Sequence, residues 1–314
     1  MNRSITLVAL VVVGALSLAV SAAQQAAGGQ PQSPMMVEVE KLKNNLFVLK
    51  GGGGNTAVFV TATGVVVVDT KNPGWGQPIL DKIKTLTDKP ITMLINTHSH
   101  ADHVSGNVAF PATVDILTHE NTKINMQQMK AYTGRTEPPP NVFKESNGKG
   151  LSKRTFKDKM SIGTGNDQID LYYFGRGHTN GDAWVVFRAP RTLHAGDIFS
   201  GKNLPFLDAN TGGSGVAIGD SLQKAHDTIK NVDTVITGHS TQMTWADLQE
   251  YATFNKEFLS DMRTAKQAGK AAADVASMWK IPAKYAGYTA PQPDRLKGNV
   301  QVVYDELNAS ARSK

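Results

Sequence analysis

From Val37 onward, short apolar runs separated by turn residues predict strands. Residues 46–49, 56–60 and 65–69 are β-rich and are broken by Gly51-Gly52-Gly53-Gly54 and by Thr63-Gly64. The continuous run Val65-Val66-Val67-Val68 is the pattern of a strand buried on both faces. A helix is predicted over 78–86, with Ile79, Ile83 and Leu86 on one side, followed by a second buried strand over 91–95. Further strands are predicted at 114–117, 168–174, 183–187, 192–193 and 234–237, with a helical pattern at 220–230. This alternation reads as an α/β protein whose sheets are covered by helices and whose strand ends open into polar loops.

The texture changes at Thr244. Thr244 and Asp247 form a capping-box pattern, and Leu248, Tyr251, Phe258 and Met262 follow at helical spacing. A second helix is predicted over 271–279, ended by Pro282, and a last one carries Val300, Val303, Tyr304 and Leu307 on one stripe. The division predicted from these shifts is an export signal at 1–23, a leader at 24–36, a catalytic domain at 37–243 and a helical extension at 244–314. The extension carries no ionisable cluster of its own and reads as a cap on the domain before it.

The N-terminus sets the address. Arg3 gives a positive start, an uncharged and mostly apolar run follows from Ile5 to Val20, and Ser21, Ala22 and Ala23 supply a small-residue exit. Those are the parts of a secretory signal peptide, and the run is shorter than a membrane span needs. The leader after it is rich in Gln, Gly, Pro and Ser and has no packing pattern. The mature chain is expected in the periplasm or outside the cell, with no membrane span.

Composition narrows the chemistry. Over 314 residues, 40% are hydrophobic and 19% charged, the balance of a globular chain. Thirty-three basic and 27 acidic side chains give a net charge of +6, too dilute to indicate nucleic acid. The denser basic stretch at Lys149, Lys153, Arg154, Lys157 and Lys159 reads as a solvated loop or strand face. There is no cysteine, which excludes disulfides, thiolate metal sites and cysteine nucleophiles, and suits an oxidising compartment.

The chemistry is concentrated in histidine and aspartate. His98-Ser99-His100-Ala101-Asp102-His103 places three imidazoles and a carboxylate within six residues. In an extended stretch residues two apart point the same way, so His98 and His100 can face one cation while the next turn aims Asp102 and His103 at another. Imidazole and carboxylate suit zinc, and iron or manganese would accept the same donors. Three more candidates stand just beyond predicted strands: His178 after Gly177, Asp197 after Gly196, and His239 after Gly238. Glycine beside each lets the backbone turn tightly there.

The set His98, His100, Asp102, His103, His178, Asp197 and His239 resembles the metallo-β-lactamase superfamily, over about residues 37–244. The resemblance implies an αββα four-layer sandwich and a dinuclear metal site at one sheet edge, holding two zinc ions. His98, His100 and His178 would hold the first and Asp102, His103 and His239 the second, with Asp197 as the bridge. Asp69, ending its buried strand, matches the family's aspartate that orients a ligand. Asp182, in His178-Thr179-Asn180-Gly181-Asp182, fits a supporting role of the same kind. A bridging aspartate is typical of glyoxalase II and other non-lactamase members, whereas the lactamase subclasses carry cysteine or serine at this position.

Two adjacent cations lower the pKa of a shared water and generate a metal-bound hydroxide without a protein base. Asp102 is placed to orient it and pass on its proton. The expected function is hydrolysis of a small ester, lactone, lactam or thioester, with a dedicated β-lactamase as the alternative. An iron-dependent oxidoreductase of the same fold is a further alternative, weakened by the lack of a flavodoxin-type module. The nucleic-acid-binding insert of the family's nucleases is not evident, so the expected partner is a small molecule. Ser200 and Lys202, just after Asp197, are candidates for binding a substrate carboxylate. Trp75, Phe206 and Leu207 are candidates for an apolar wall, and Gly51–Gly54 for a hairpin tip at the entrance. His119, His194 and His226 lie outside the ligand series and read as hydrogen-bonding or surface residues.

Overall fold

The computed structural model of the chain describes residues 35–312; the predicted export signal and nearly all of the leader lie outside them. The first sheet runs in chain order: β1 (Glu38–Lys43), β2 (Leu46–Lys50), β3 (Thr56–Val60), β4 (Val65–Val68), β5 (Ile91–Asn96), β6 (Asp115–His119) and β7 (Arg154–Phe156). Pairing is antiparallel as far as β4 and parallel from β4 to β7. Parallel neighbours need a crossover, and the Gly76–Lys84 helix supplies it between β4 and β5. The second sheet contains β8 (Lys159–Ile162), β9 (Ile169–Tyr172), β10 (Trp184–Phe187), β11 (Thr192–Gly196), β12 (Thr234–Thr237) and β13 (Met243–Thr244), also in chain order. Here β8 to β11 are antiparallel, β11 and β12 are parallel, and β13 closes the edge antiparallel to β12.

The valine run at 65–68 shows why the sheets stack. Val66 and Val68 point into the core between the two sheets, with Phe59 and Ile95 from the first and Leu171, Val185, Phe187 and Ile236 from the second. Val65 and Val67 point the other way, onto Ile79 and Ile83 of the Gly76–Lys84 helix. β10 divides likewise: Val185 and Phe187 face the other sheet, while Trp184 and Val186 face the outer helices. Each such strand is buried on both faces, and each fully buried valine or leucine contributes roughly 1.5–3 kcal/mol as an upper estimate. The result is helices outside two facing sheets, the four-layer sandwich that the resemblance implies.

The outer layer on the second sheet is formed by the Ile218–Thr228 helix and the C-terminal helices Trp245–Gln267, Ala272–Met278 and Pro293–Arg312. Thr244 Oγ1 accepts from Asp247 N at 3.1 Å and the Asp247 carboxylate accepts from Thr244 N at 2.8 Å, the capping box expected from the sequence. Leu248, Tyr251, Phe258 and Met262 bury against Leu193, Leu222 and Val235, and Val300, Val303 and Tyr304 join the same core. No helix among the described residues is long and apolar enough to cross a membrane. The basic stretch falls on β7, β8 and the loop before them, with Lys153, Arg154, Lys157 and Lys159 exposed.

Candidate metal centre

Strand direction gathers the candidate ligands. β4 and β5 are parallel, so Asp69 and the His98–His103 segment leave the first sheet at one edge. In the second sheet β9 and β11 are both antiparallel to β10 and β12 is parallel to β11, so His178, Asp197 and His239 also leave at a common edge. His100 caps a one-turn helix, Ala101–Val104, which carries Asp102 and His103. Residues 80 to 140 apart in sequence thus meet at the rim of the sandwich.

Their donor atoms converge in two groups. His98, His100, His178 and Asp197 form one, and Asp102, His103 and His239 form the other, each with donor atoms within 4.8 Å of one another. In the first, His178 Nε2 faces His100 Nδ1 at 3.0 Å; in the second, His103 Nε2 faces His239 Nε2 at 3.3 Å. Asp197 reaches both: Oδ2 lies 3.7 Å from His178 Nε2 and 3.3 Å from His239 Nε2, and Oδ1 lies 3.2 Å from His103 Nε2. Asp102 Oδ2 lies 3.1 Å from His239 Nε2.

Burial and charge divide the centre. Desolvation, reinforced by the neighbouring imidazoles His103 and His178, holds the His98 ring well below its ordinary pKa. The same forces, with His100 as the neighbour, push His178 down to about 3. Both rings are therefore neutral at pH 7, the form that donates a lone pair to a cation. In the other half, burial opposes protonation of His103 and His239 but the carboxylates Asp197 and Asp102 outweigh it, raising His103 well above the usual range and His239 to about 9. Those protons occupy positions that a cation would take. His98 Nε2 is buried and has no hydrogen-bond partner among the described residues. Such an orphaned atom is costly unless a ligand satisfies it. Ring nitrogens turned toward one another, with carboxylates between, fit divalent cations.

A ring of further contacts fixes each ligand. Asp69 Oδ2 meets His103 Nδ1 at 2.8 Å, and the same carboxylate accepts from Thr97 N and Oγ1 at 2.8 and 2.6 Å. Thr97 Oγ1 also lies 3.0 Å from His98 Nδ1. The Phe206 carbonyl lies 2.6 Å from His178 Nδ1. Asp182 accepts from Thr179 N and Oγ1, so it fixes the turn after His178 and does not touch a ligand. Burial pushes its carboxyl up to about 6 against those hydrogen bonds. Asp208, which sequence reasoning missed, meets His100 Nε2 at 2.8 Å.

Two glycines make room for the centre. A Cβ on Gly54 would sit 2.1 Å from His103 Cε1, and one on Gly238 would sit 1.8 Å from Asp197 Oδ1. The Gly51–Gly54 loop joins β2 to β3 and packs against the ligands, with Gly54 N donating to the Asp102 carbonyl at 3.0 Å. Buried Lys71 braces it, donating to the Leu49 and Gly54 carbonyls at 2.9 and 2.7 Å. Desolvation pulls that ammonium down to about 8.

Residues 49–239 match the metallo-beta-lactamase superfamily. The chain is 30% identical over 232 residues to the metallo-beta-lactamase type 2 of Elizabethkingia meningoseptica, which spans 67% of this chain and 80% of that protein. It belongs to the metallo-beta-lactamase superfamily. It is accordingly a metal-dependent hydrolase. A metallo-beta-lactamase from Pontibacter korlensis has the same fold, with a TM-score of 0.57 and 21% identity over 70% of this chain and 99% of that one. A sec-alkyl sulfatase matches 86% of this chain and 50% of its own, with a TM-score of 0.68 and 13% identity. A 2,4-dinitroanisole O-demethylase subunit from Nocardioides is 25% identical over 55% of this chain and 49% of that protein.

The remaining predicted residues divide between cleft and scaffold. A cleft of about 770 Å³ is lined by His100, Asp102, Asp197, His239, Ser200 and Phe206. Lys202 is absent from that lining: its ammonium pairs with Asp247 at 2.7 Å and Glu250 at 3.1 Å, on the Trp245–Gln267 helix. Phe206 forms the apolar wall with Tyr132, whose ring packs on His100 at 4.4 Å; Leu207 is core, and Trp75 packs on the first sheet's outer face. His119 accepts from Asn121 N and stacks on Tyr173, His194 meets the Asn55 carbonyl, and His226 stacks on Trp245. Tyr132 and Asp208 sit in irregular loops where neither strand nor helix periodicity marks them.

Proposed function

We propose that this hydrolase is an exported enzyme that uses two zinc ions to hydrolyse the acyl C–O, C–N or C–S bond of a small ester, lactone, lactam or thioester. The observation that carries the reading is Asp197, one carboxylate in reach of both imidazole groups. His98, His100 and His178 would hold one ion and Asp102, His103 and His239 the other, with Asp197 between. Two such ions supply Lewis acidity and an acidified water. The protein's own share is positional. Tyr132 and Phe206 present flat apolar faces beside the ligands, which orient a substrate and exclude bulk water. Asp102, the more exposed of the two carboxylates at the centre, takes the proton lost by the attacking water at its Oδ atom. That proton goes to the departing oxygen, nitrogen or sulfur as its bond to the carbonyl carbon breaks. Export rests on the N-terminal sequence pattern described above.

A dedicated β-lactamase is the second reading, favoured by the similarity to the Elizabethkingia enzyme. Turnover of a chromogenic cephalosporin and a p-nitrophenyl ester by zinc-loaded protein separates the two. A chelator-sensitive kcat/KM of about 10⁴ M⁻¹s⁻¹ or more on the ester, with little on the cephalosporin, supports the general hydrolase. The reverse ranking selects the lactamase, and no turnover of any carbonyl substrate rejects both.

A further inference from the structure

The C-terminal segment is more than a cap, because it contributes to the entrance of the metal centre. Thr289, Pro291, Asp294 and Arg295 line the same cleft as His100, Asp102, Asp197 and His239. A second cleft, of about 920 Å³, shares Tyr132, Arg135, Phe206, Asp294 and Arg295 with the first and continues along the last helix to Glu306. Arg295 and Arg135 therefore stand where the two clefts meet. The Arg295 guanidinium lies over the Phe206 ring at 4.8 Å, and that ring is 5.8 Å from those of both His100 and His178.

Of the other cations around the clefts, Arg176 and Lys202 are engaged, while Lys297, on the wall of the second cleft only, is farther along the last helix from the metal centre. Arg176 donates to the Gly212 and Gly213 carbonyls and pairs with Glu306, and Lys202 is held by Asp247 and Glu250. Among the described residues, the guanidiniums of Arg135 and Arg295 have no ion pair and no hydrogen bond; Asp294 is on the same wall but pairs with neither. Stacking on an aromatic face leaves the in-plane N–H donors of a guanidinium free, and their fork matches the two oxygens of a carboxylate.

We propose that Arg295, assisted by Arg135, binds a carboxylate on the substrate, so that this hydrolase acts on carbonyl compounds carrying an anionic group beside the scissile bond. The inference rests on the hydrolase reading and narrows its substrate class. It also moves anion recognition from Lys202, which is already paired, to the C-terminal helix.

The test compares p-nitrophenyl hydrogen glutarate with neutral p-nitrophenyl butyrate on zinc-loaded wild type, Arg295→Gln and Arg295→Lys. The ratio of kcat/KM for the anionic over the neutral ester should fall about tenfold or more in Arg295→Gln, and recover in part in Arg295→Lys. An unchanged ratio overturns the proposal. Calorimetry with succinanilate against neutral N-phenylbutanamide provides a readout that needs no turnover. A tenfold weaker affinity of Arg295→Gln for the anion alone supports the site, even if neither ester is cleaved and the hydrolase reading falls. Equal affinity in both proteins overturns the site and leaves the hydrolase reading standing.

Discussion

Asp208 Oδ2 lies 2.8 Å from His100 Nε2, a contact across 108 residues that turns the other ring nitrogen toward His178. The carboxylate is itself saturated: it accepts from Thr133 N and Oγ1 at 2.9 Å each and from Thr211 Oγ1 at 2.7 Å. Burial works against its charge, but the His100 and Thr hydrogen bonds more than offset this and hold it well below the usual carboxylate range. A ligand fixed this way keeps one tautomer and one orientation.

Removing that support should loosen the metal. Asp208→Ala is expected to weaken affinity for the His100-containing site by about 10–100-fold. Competition with a chromophoric chelator measures it, and unchanged affinity would remove Asp208 from the account.

Gly54→Ala tests the opposite fault, crowding instead of release. The added methyl would stand 2.1 Å from His103 Cε1, so the ring or the loop must move. A displacement of about 1 Å at a catalytic group costs on the order of 100-fold in rate. We expect a fall of that size in kcat with loss of one metal equivalent while the chain stays folded. Wild-type kcat and stoichiometry would show that the loop is not tied to the ligand.

The bridge makes a separate prediction. Asp197→Asn removes the charge that acts on both imidazole groups and should favour loss of one cation. Unchanged two-metal stoichiometry and rate would mean that another residue bridges.

Most of the fold was legible because burial writes itself into composition. The valine run at 65–68 could only be a strand covered on both sides, and the capping box at Thr244 and Asp247 is local chemistry. The ligand series was legible because six residues carry four candidate donors and glycine accompanies the others. Apart from Asp69, what surrounds the ligands was not. Asp208 and Tyr132 act through tertiary contacts made from irregular loops, and nothing in their own neighbourhoods marks them. Lys202 shows the reverse: its place after Asp197 suggested a substrate contact, but a helix dozens of residues away supplies its partners. The tail looked like a cap because its apolar stripes are the strong signal, while Arg295 gains its position only when the last helix docks.

The start of the Trp245–Gln267 helix depends on pH in a defined direction. Burial raises the Asp247 carboxyl, but hydrogen bonds from Lys202 and Thr244 prevail and its pKa in the folded chain is lowered. A depressed folded value means the contribution is present above the ordinary aspartate range and lost as pH falls through the folded pKa. Asp247→Ala should cost about 1 kcal/mol at neutral pH, the worth of a cap, and the gap to wild type should close as pH falls through the lowered folded pKa. Denaturant unfolding across that range checks it; a gap independent of pH would place the effect elsewhere.

The central claim is a dinuclear, metal-dependent hydrolytic centre, and metal analysis coupled to turnover tests it most directly. Purified protein is stripped with chelator, reloaded with zinc in steps, and assayed on the p-nitrophenyl ester at each step, with His98→Ala alongside. The account predicts about two equivalents bound per wild-type chain, hydrolysis that is lost on stripping and returns with zinc, and neither full loading nor activity in the variant. Ester hydrolysis that survives complete metal removal, or a His98→Ala protein as active and as fully loaded as wild type, would contradict it.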